Sequence, residues 1–239
     1  MKNNEFAYLS NLNNTQKDAV INLDGPCLII AGAGSGKTKV LTTRVAHIIK
    51  NKRAWPNQIL CVTFTNKAAK EMLNRVSRLI NKQASAIPWL GTFHSICAKF
   101  LRKHANAVNL NYNFTIIDQD DQIRLVKNIC KAENIDTKKI SPQFIISKIN
   151  QWKNNGLLPL KVKISKEDIF GKGILVVYKI YQEKLVALNS CDFGDLILYC
   201  VSIFENNSEI LKIYSKNFKY ILVDEYQDTN LIQSKWLSL

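Results

Sequence analysis

Eight consecutive residues, Ala31-Gly32-Ala33-Gly34-Ser35-Gly36-Lys37-Thr38, form a glycine-rich run ending on an ammonium and a hydroxyl. An apolar stretch, Pro26 to Ile30, precedes the run and an amphipathic helical pattern follows it. A strand, a glycine-rich turn and a helix are the setting a phosphate-binding loop requires. Glycines there let backbone N–H groups turn inward around a β-phosphate, at the positive end of a helix dipole. Lys37 is expected to reach the β- and γ-phosphates, and the Thr38 hydroxyl to hold Mg²⁺. Alanine at position 31 replaces the usual first glycine.

A second group lies at Ile221-Leu222-Val223-Asp224-Glu225, an apolar strand that delivers two carboxylates at its end. Asp224 is expected to complete the Mg²⁺ shell through water, and Glu225 to orient and deprotonate an attacking water. Lys37 and Asp224 are 187 residues apart, wider than in small phosphate-loop kinases and GTPases, so a sizeable block is inserted between them.

Three further clusters carry polar chemistry. Leu12-Asn13-Asn14-Thr15-Gln16 precedes the first expected strand; taken alone it is a helix start with asparagine caps and an exposed Gln16. Thr63-Phe64-Thr65-Asn66-Lys67 sits where a strand gives way to a helix. Hydroxyls, an amide and lysines around Phe64 suit a nucleic-acid strand, with the ring on a base and the polar groups on phosphates; the plainer alternative is a core phenylalanine. Gly91-Thr92-Phe93-His94-Ser95 repeats that junction with Thr92 and His94 as donors, or else Ser95 merely caps a helix.

Two other patterns are discarded. Asp192-Phe193-Gly194 is accompanied by neither a His-Arg-Asp triplet nor a glycine-rich kinase loop. Asp118, Asp120 and Gln122 begin like a calcium loop, but Ile123 and Ile129 stand where glycine and a bidentate glutamate are needed.

The elements that must position these groups follow from periodicity. Strands are expected at Pro26 to Ile30, Ile59 to Phe64, Trp89 to Phe93 and Tyr220 to Val223. Helices are expected at Thr38 to Lys50, Lys67 to Ile80 and from His94 to about Lys103. Strands spaced by helices imply right-handed crossovers and a parallel sheet with both faces covered. From about 106 to 188 the pattern becomes helical: Gln119 to Lys131 capped by Asp118, a helix starting at Ser141-Pro142, and Ile174 to Leu188. Turns are expected at Asn154-Asn155-Gly156 and at Gly171-Lys172-Gly173. The fold class is therefore α/β, a parallel sheet with an α-helical insertion.

Composition narrows the function classes. The 239 residues are 46% hydrophobic and 22% charged, ordinary globular usage that excludes a disordered, collagen-like or coiled-coil chain. The longest apolar run, Leu196 to Phe204, is about half a membrane span, and the N-terminus carries no apolar signal segment. Six cysteines without a Cys-x-x-Cys pair suggest reduced cytoplasmic thiols, mostly in the core, and the three histidines have no metal-ligand spacing with them. The net charge of +14 suggests a polyanionic partner, although 27 Lys against 6 Arg would also arise from an AT-rich coding sequence. The charge is uneven: residues 1–106 carry 16 basic and 4 acidic side chains, residues 189–239 carry 4 and 7.

Together these motifs resemble the UvrD/PcrA/Rep family of superfamily-one DNA helicases over essentially the whole chain. LNNTQKDAV resembles the family's Q motif, implying that Gln16 reads adenine. AGAGSGKT resembles motif I, TFTNKAAKEM motif Ia, GTFHSICAKFLR motif Ib and ILVDEYQDTN motif II. YQEKLVALNSCDFGDLI resembles the return from the helical insertion, and IISKINQWKNNGLLP the insertion subdomain itself.

The resemblance implies a RecA-like domain 1A over 1–105 and 189–239, with a helical subdomain 1B over 106–188. It implies ATP and Mg²⁺ as cofactors, held by Gln16, residues 31–38 and Asp224. It implies single-stranded DNA and single-strand/duplex junctions as partners, with contacts from Thr63, Phe64, Thr65, Asn66, Thr92 and His94. In the family a second RecA-like domain, 2A, closes the ATP cleft, and hydrolysis drives three-prime to five-prime movement. Motif III and domain 2A are not among these residues, so a 2A supplied in cis or in trans is expected to be needed for full activity.

The same residues fit two rival readings. One is a non-catalytic single-strand-binding module with a structural or weak nucleotide site; the other is an unrelated phosphate-loop enzyme such as a small-molecule kinase. Phe64→Ala separates stacking from packing. Weaker single-strand binding by ~1–3 kcal/mol with an intact fold is expected for one lost base stack. Unchanged affinity with lower stability, measured by DNA titration beside thermal melting, would make Phe64 a core residue.

Overall fold

A computed structural model describes residues 7–165 and 168–239. Along the chain, α1 (Asn14–Ile21), α2 (Lys37–Lys50), β1 (Ile59–Thr63), α3 (Asn66–Ile80), β2 (Leu90–Thr92) and α4 (Phe93–His104) come first. Then come β3 (Thr115–Ile116), α5 (Gln119–Ala132), α6 (Pro142–Asn154), α7 (Gly171–Ala187), β4 (Ser190–Cys191) and α8 (Phe193–Asn206). The chain closes with α9 (Ser208–Asn217), β5 (Tyr220–Val223) and α10 (Leu231–Ser238). The α/β class expected from periodicity is the class observed. No helix among the described residues is long and apolar enough to cross a membrane.

Two compact units divide the chain. One comprises the described residues up to Ile96 together with Ile213–Asp228; the other comprises Cys97–Lys212 and Thr229–Leu239. The divisions fall at 96/97, 212/213 and 228/229, whereas the helical pattern alone suggests an insertion over 106–188. The reason is local: α8 is apolar through most of its length, with Leu196 to Val201 all buried, and it belongs with the helical unit.

In the first unit a three-stranded parallel sheet runs in the order β2-β1-β5. All five residues of β1 are buried, as a central strand covered on both faces requires. In register, Val62 lies beside Gly91 and Val223, and Thr63 beside Thr92. Val45 and Ile48 from α2, Ile59 and Cys61 from β1, and Met72, Val76 and Ile80 from α3 form the core with Leu222. The α3 trio falls at i, i+4 and i+8, one face of a helix, while Lys67, Lys70 and Arg75 stay exposed. Thr65 starts α3 by accepting the Ala68 N–H at 3.1 Å. Trp89 meets the rings of Tyr214 and Phe218 edge-on.

One expected strand is absent. Pro26 to Ile30 is neither paired nor buried: Leu28 is 76% and Ile30 88% exposed. Apolar composition states a preference for burial but not the existence of a partner. The chain leaves the left-handed Gly25 (φ 77°) into a proline that donates no N–H, and the segment finds no ladder.

The second unit packs α5, α6 and α7 around Val126, Ile129, Ile145, Ile149, Trp152, Val177 and Tyr178. Asp118 and Ser141 cap α5 and α6 as expected, accepting the N–H groups of Asp121 at 2.9 Å and Phe144 at 3.2 Å. Gly156 (φ 75°) makes the expected turn after α6. Gly171-Lys172-Gly173 is not a turn but the first turn of α7. The short parallel pair β3–β4, with Thr115 beside Ser190 and Ile116 beside Cys191, was not foreseen.

Asp192-Phe193-Gly194 has a structural role. Asp192 and Asp195 form a reciprocal capping box at the start of α8. The fully buried ammonium of Lys153 lies 2.6 Å from Asp192 and 2.7 Å from Asp195. Tyr181 donates to Asp192 at 2.8 Å and Gln182 to Asp195 at 2.9 Å. Burial works against the Lys153 charge, but the two carboxylates outweigh it and raise its pKa. Asp195 is pushed up to about 6 by burial and by Asp192. Gly194 must be glycine because a Cβ there would lie 2.9 Å from Lys153 Cδ.

This cluster generates a stability prediction. Lys153→Met leaves two carboxylates buried without their cation, so unfolding free energy is expected to fall by about 3–5 kcal/mol in urea titrations. A loss under about 1 kcal/mol would mean that water reaches the carboxylates.

Candidate nucleotide site

The glycine-rich run folds as a loop at the start of α2. Gly34 (φ 76°) and Gly36 (φ 89°) adopt left-handed conformations that side chains disfavour. The Ser35 hydroxyl donates to the Gly32 carbonyl at 2.7 Å, tightening the turn. Gly36 occupies the N-cap of α2 and has no side chain to cap it, so the first-turn N–H groups of a 14-residue helix open onto the loop. That is the electrostatic signature of an anion site. The Lys37 ammonium lies over the loop, donating to the carbonyls of Ala31 at 3.0 Å and Gly32 at 3.2 Å.

Gln16 reaches this loop from α1. Its Oε1 accepts the Asn13 N–H at 3.1 Å and its Nε2 donates to the Ser35 carbonyl at 2.9 Å. The helix-start reading of the segment thus holds, and the same glutamine also touches the phosphate loop. Gly36 is doubly constrained, since a Cβ there would stand 3.1 Å from Gln16 Nε2. Lys39 turns away and donates to the Asn11 carbonyl at 2.5 Å.

The acidic pair lies at the end of β5. The Asp224 N–H donates to the Val62 carbonyl at 2.9 Å, extending the β1–β5 ladder by one residue. Glu225 then takes a left-handed conformation (φ 52°), uncommon for a non-glycine residue, which turns the chain sharply. Gln227 Nε2 donates to the Glu225 carboxylate at 2.5 Å.

Asp224 is 6% exposed. Burial, then the Glu225 charge, pushes its carboxyl above the usual range; the Thr63 hydroxyl, the Glu225 N–H and the Lys37 charge pull it down.

Hard oxygen donors, the Thr38 hydroxyl and the Asp224 carboxylate, fit Mg²⁺, which prefers oxygen ligands and keeps much of its water. No group of three or more His, Cys, Asp or Glu side chains among the described residues could hold a metal by itself.

The residues expected to touch a nucleic-acid strand divide in two. Thr65 and Asn66 are exposed at the start of α3. Phe64 is half-buried, its ring centroid 5.4 Å from that of buried Phe93. Thr63, by contrast, is 2% exposed and gives its hydroxyl to Asp224. Thr92 is buried and accepts the Ser95 N–H at 3.2 Å, so Thr92 rather than Ser95 is the cap. His94 is half-buried, and burial pushes its imidazole pKa down. The support Thr63 gives Asp224 went unseen in the sequence; the signal was the alternation that sends its side chain off the end of a strand paired with β5.

A glycine-rich loop at a helix start, facing an acidic pair at the end of a parallel strand, defines a P-loop nucleotide-binding protein. Comparison with known proteins gives the family. Residues 12–239 match the UvrD/REP helicase N-terminal domain, and the chain belongs to that family. A probable DNA helicase II homolog of Rickettsia conorii is 49% identical over 239 residues, 99% of this chain and 36% of its own length. A DNA helicase II of Rickettsia typhi is 49% identical over 240 residues, again 99% and 36%. The ATP-dependent DNA helicase PcrA of Staphylococcus epidermidis is 44% identical over 227 residues, 95% of this chain and 31% of its own. The chain spans about a third of the length of these curated relatives.

Thr63→Val tests the link between the two strand ends. Without the hydroxyl, Asp224 is expected to titrate at higher pH than in the parent, followed by the carboxyl carbon shift of labelled aspartate. An unchanged titration would show that Thr63 does not hold the carboxylate.

Proposed function

We propose that the chain is the part of an ATP-dependent DNA helicase that holds the phosphates and the single strand. The observation that carries this is the glycine-rich loop at the uncapped start of α2, with left-handed Gly34 and Gly36, the Lys37 ammonium over the loop and Gln16 tied to Ser35 beside it. On this reading Gln16 selects adenine. Ala31, Gly32, Ala33, Gly34, Ser35 and Gly36 cradle the phosphates, and Lys37 neutralises them. Thr38 and Asp224 hold Mg²⁺, which supplies charge neutralisation at the transferring phosphoryl group. Glu225, fixed by Gln227, orients water and takes its proton.

Thr65, Asn66 and the open side of Phe64 form the single-strand surface, with His94 nearby in the same motif order. Thr63 and Thr92 support it from beneath. By resemblance to the family, residues 1–105 and 189–239 correspond to a domain 1A and 106–188 to a 1B, although α8 packs with the helical unit. A domain 2A, in cis or in trans, completes the cleft and couples hydrolysis to three-prime to five-prime movement and unwinding at junctions, in a cytoplasmic DNA-repair role. The 239 residues alone then turn over slowly, because arginines from a partner domain are worth roughly 10³–10⁵ in rate in such enzymes. The competing reading, a single-strand-binding module with an idle nucleotide site, predicts DNA affinity indifferent to nucleotide.

ATP hydrolysis with and without single-stranded DNA decides between them. Slow turnover stimulated by DNA and abolished by Glu225→Gln is expected, together with MgATP binding that Lys37→Ala removes. No MgATP binding, or vigorous unwinding by these residues alone, would sink the proposal.

A further inference from the structure

α1 is eight residues long, too short to hold its shape alone in water, and Val20 is the one residue of it that is buried. Val20 meets Leu9, Leu12 and Val40, a small apolar patch that would tolerate rotation of the helix about its own axis. Yet this helix carries Gln16, whose amide faces the phosphate loop. What fixes its rotation is hydrogen bonding, and two of the donors are cations of α2 that have no part in the nucleotide site described above.

Lys39 donates to the Asn11 carbonyl, just ahead of α1, at 2.5 Å. Five residues further along α2, Arg44 is 8% exposed, and its Nη1 donates to the carbonyls of Ala19 and Asn22, each at 2.5 Å. Ala19 lies in the last turn of α1 and Asn22 is its C-cap. Arg44 therefore satisfies carbonyls that the helix leaves open, and its charge meets the negative end of the helix dipole. α1 is held at both ends by the helix that begins at the phosphate loop.

Gln16 and Ala19 are three residues apart, which puts them on one side of α1. Rotation of the helix by one residue, about 100°, would break the Arg44 bonds and swing Gln16 off the loop together. As the helix stands, Gln16 Oε1 takes the Asn13 N–H and Nε2 gives to the Ser35 carbonyl, so the two ends of the amide are not interchangeable. Orientation decides what an amide can tell apart. Its oxygen accepts from the amino group of adenine but would face the carbonyl of guanine.

We propose that Lys39 and Arg44 are positioning residues that set the base selectivity of the site: they clamp α1 at both ends and hold the Gln16 amide in the orientation that prefers adenine to guanine. Both act through Gln16 and not on the nucleotide. The inference rests on the reading of Gln16 as the adenine contact, and its test separates the two.

Dissociation constants for MgATP and MgGTP are measured on the 239-residue chain and on its Gln16→Ala, Arg44→Met and doubly substituted variants, with thermal melting alongside. The parent is expected to prefer MgATP by about tenfold or more, the discrimination of one well-placed amide, and Gln16→Ala to lose that preference. Arg44→Met is expected to cut the preference by about fivefold, with MgGTP binding changed by less than about twofold, and to cut nothing further once Gln16 is replaced. A helix cap that served stability alone would weaken both nucleotides alike. Lys39→Met, at an exposed position, is expected to act in the same direction and stands in for Arg44→Met should that variant fail to fold. A parent preference that survives either substitution in a folded chain, or a loss that adds in full to that of Gln16→Ala, would overturn the clamp and leave the nucleotide reading standing. A parent that binds MgATP and MgGTP alike would overturn the clamp together with the adenine role of Gln16, and no MgATP binding would overturn the whole reading.

Discussion

The parallel pairing of β1 with both its neighbours is the constraint on which the site depends. Parallel strands end at the same edge, so the register of Val62 with Gly91 and Val223 lines up three strand ends at once. One end delivers Asp224 and Glu225, one delivers Thr63 and the start of α3, and one delivers Thr92 and the start of α4. None of these groups has a reason to meet the others in sequence. What brings them together is the burial of Ile59 to Thr63 on both faces, which leaves β1 no solvent-facing side and makes its register costly to slip. The chemistry at the edge is thus a consequence of apolar residues beneath it.

Much of this was legible because it is local. The caps of α5 and α6, the helical faces of α2 and α3 and the loop glycines are each written within a few residues of where they act. The misreadings share a different cause. Pro26 to Ile30 has a strand's composition, but pairing is a property of two segments, and composition reports on one. The pair β3–β4 is two residues on each side, too short for alternation to register. Gly171 and Gly173 suggested a turn, yet the buried face of α7 at Ile174, Val177, Tyr178 and Tyr181 carries the helix back through them, tertiary packing overriding a weak local preference. At the site, the loop and the acidic pair were recognisable as types. The placement of Thr63 was not, because its partner is a carboxylate far along the chain.

The buried ionic cluster shows the same limit. Asp192 and Asp195 look in sequence like a cap, which they are, but their cation comes from α6, 39 residues upstream of Asp192. Burying three charges contributes little net stability by itself, since desolvation offsets most of the attraction. It does fix geometry: Lys153 can meet both carboxylates, and Tyr181 one of them, in only one arrangement of α6, α7 and the start of α8. Hydrophobic contacts among Ile145, Ile149, Val177 and Tyr178 would tolerate sliding; the ammonium would not. We infer that the cluster sets helix register in this unit while the apolar core supplies the driving force.

The electrostatics of the nucleotide site carry a related conflict. Asp224 is nearly buried beside a second carboxylate, and burial first, then the Glu225 charge, raises its pKa. The helix start and Lys37 are positive, but Lys37 is engaged by loop carbonyls and lowers Asp224 only in part. A lone phosphate would bring more negative charge toward the pair, and a lone divalent ion would find only Asp224 and a hydroxyl as ligands. Phosphate and metal together would resolve both deficits: Thr38 and Asp224 would hold the ion, which would offset the acids, and the helix N–H groups and Lys37 would meet the phosphate charge. On the proposed reading, the two ligands bind cooperatively because each removes the obstacle to the other, and the cooperativity comes from the same strand register that placed Asp224 at the sheet edge.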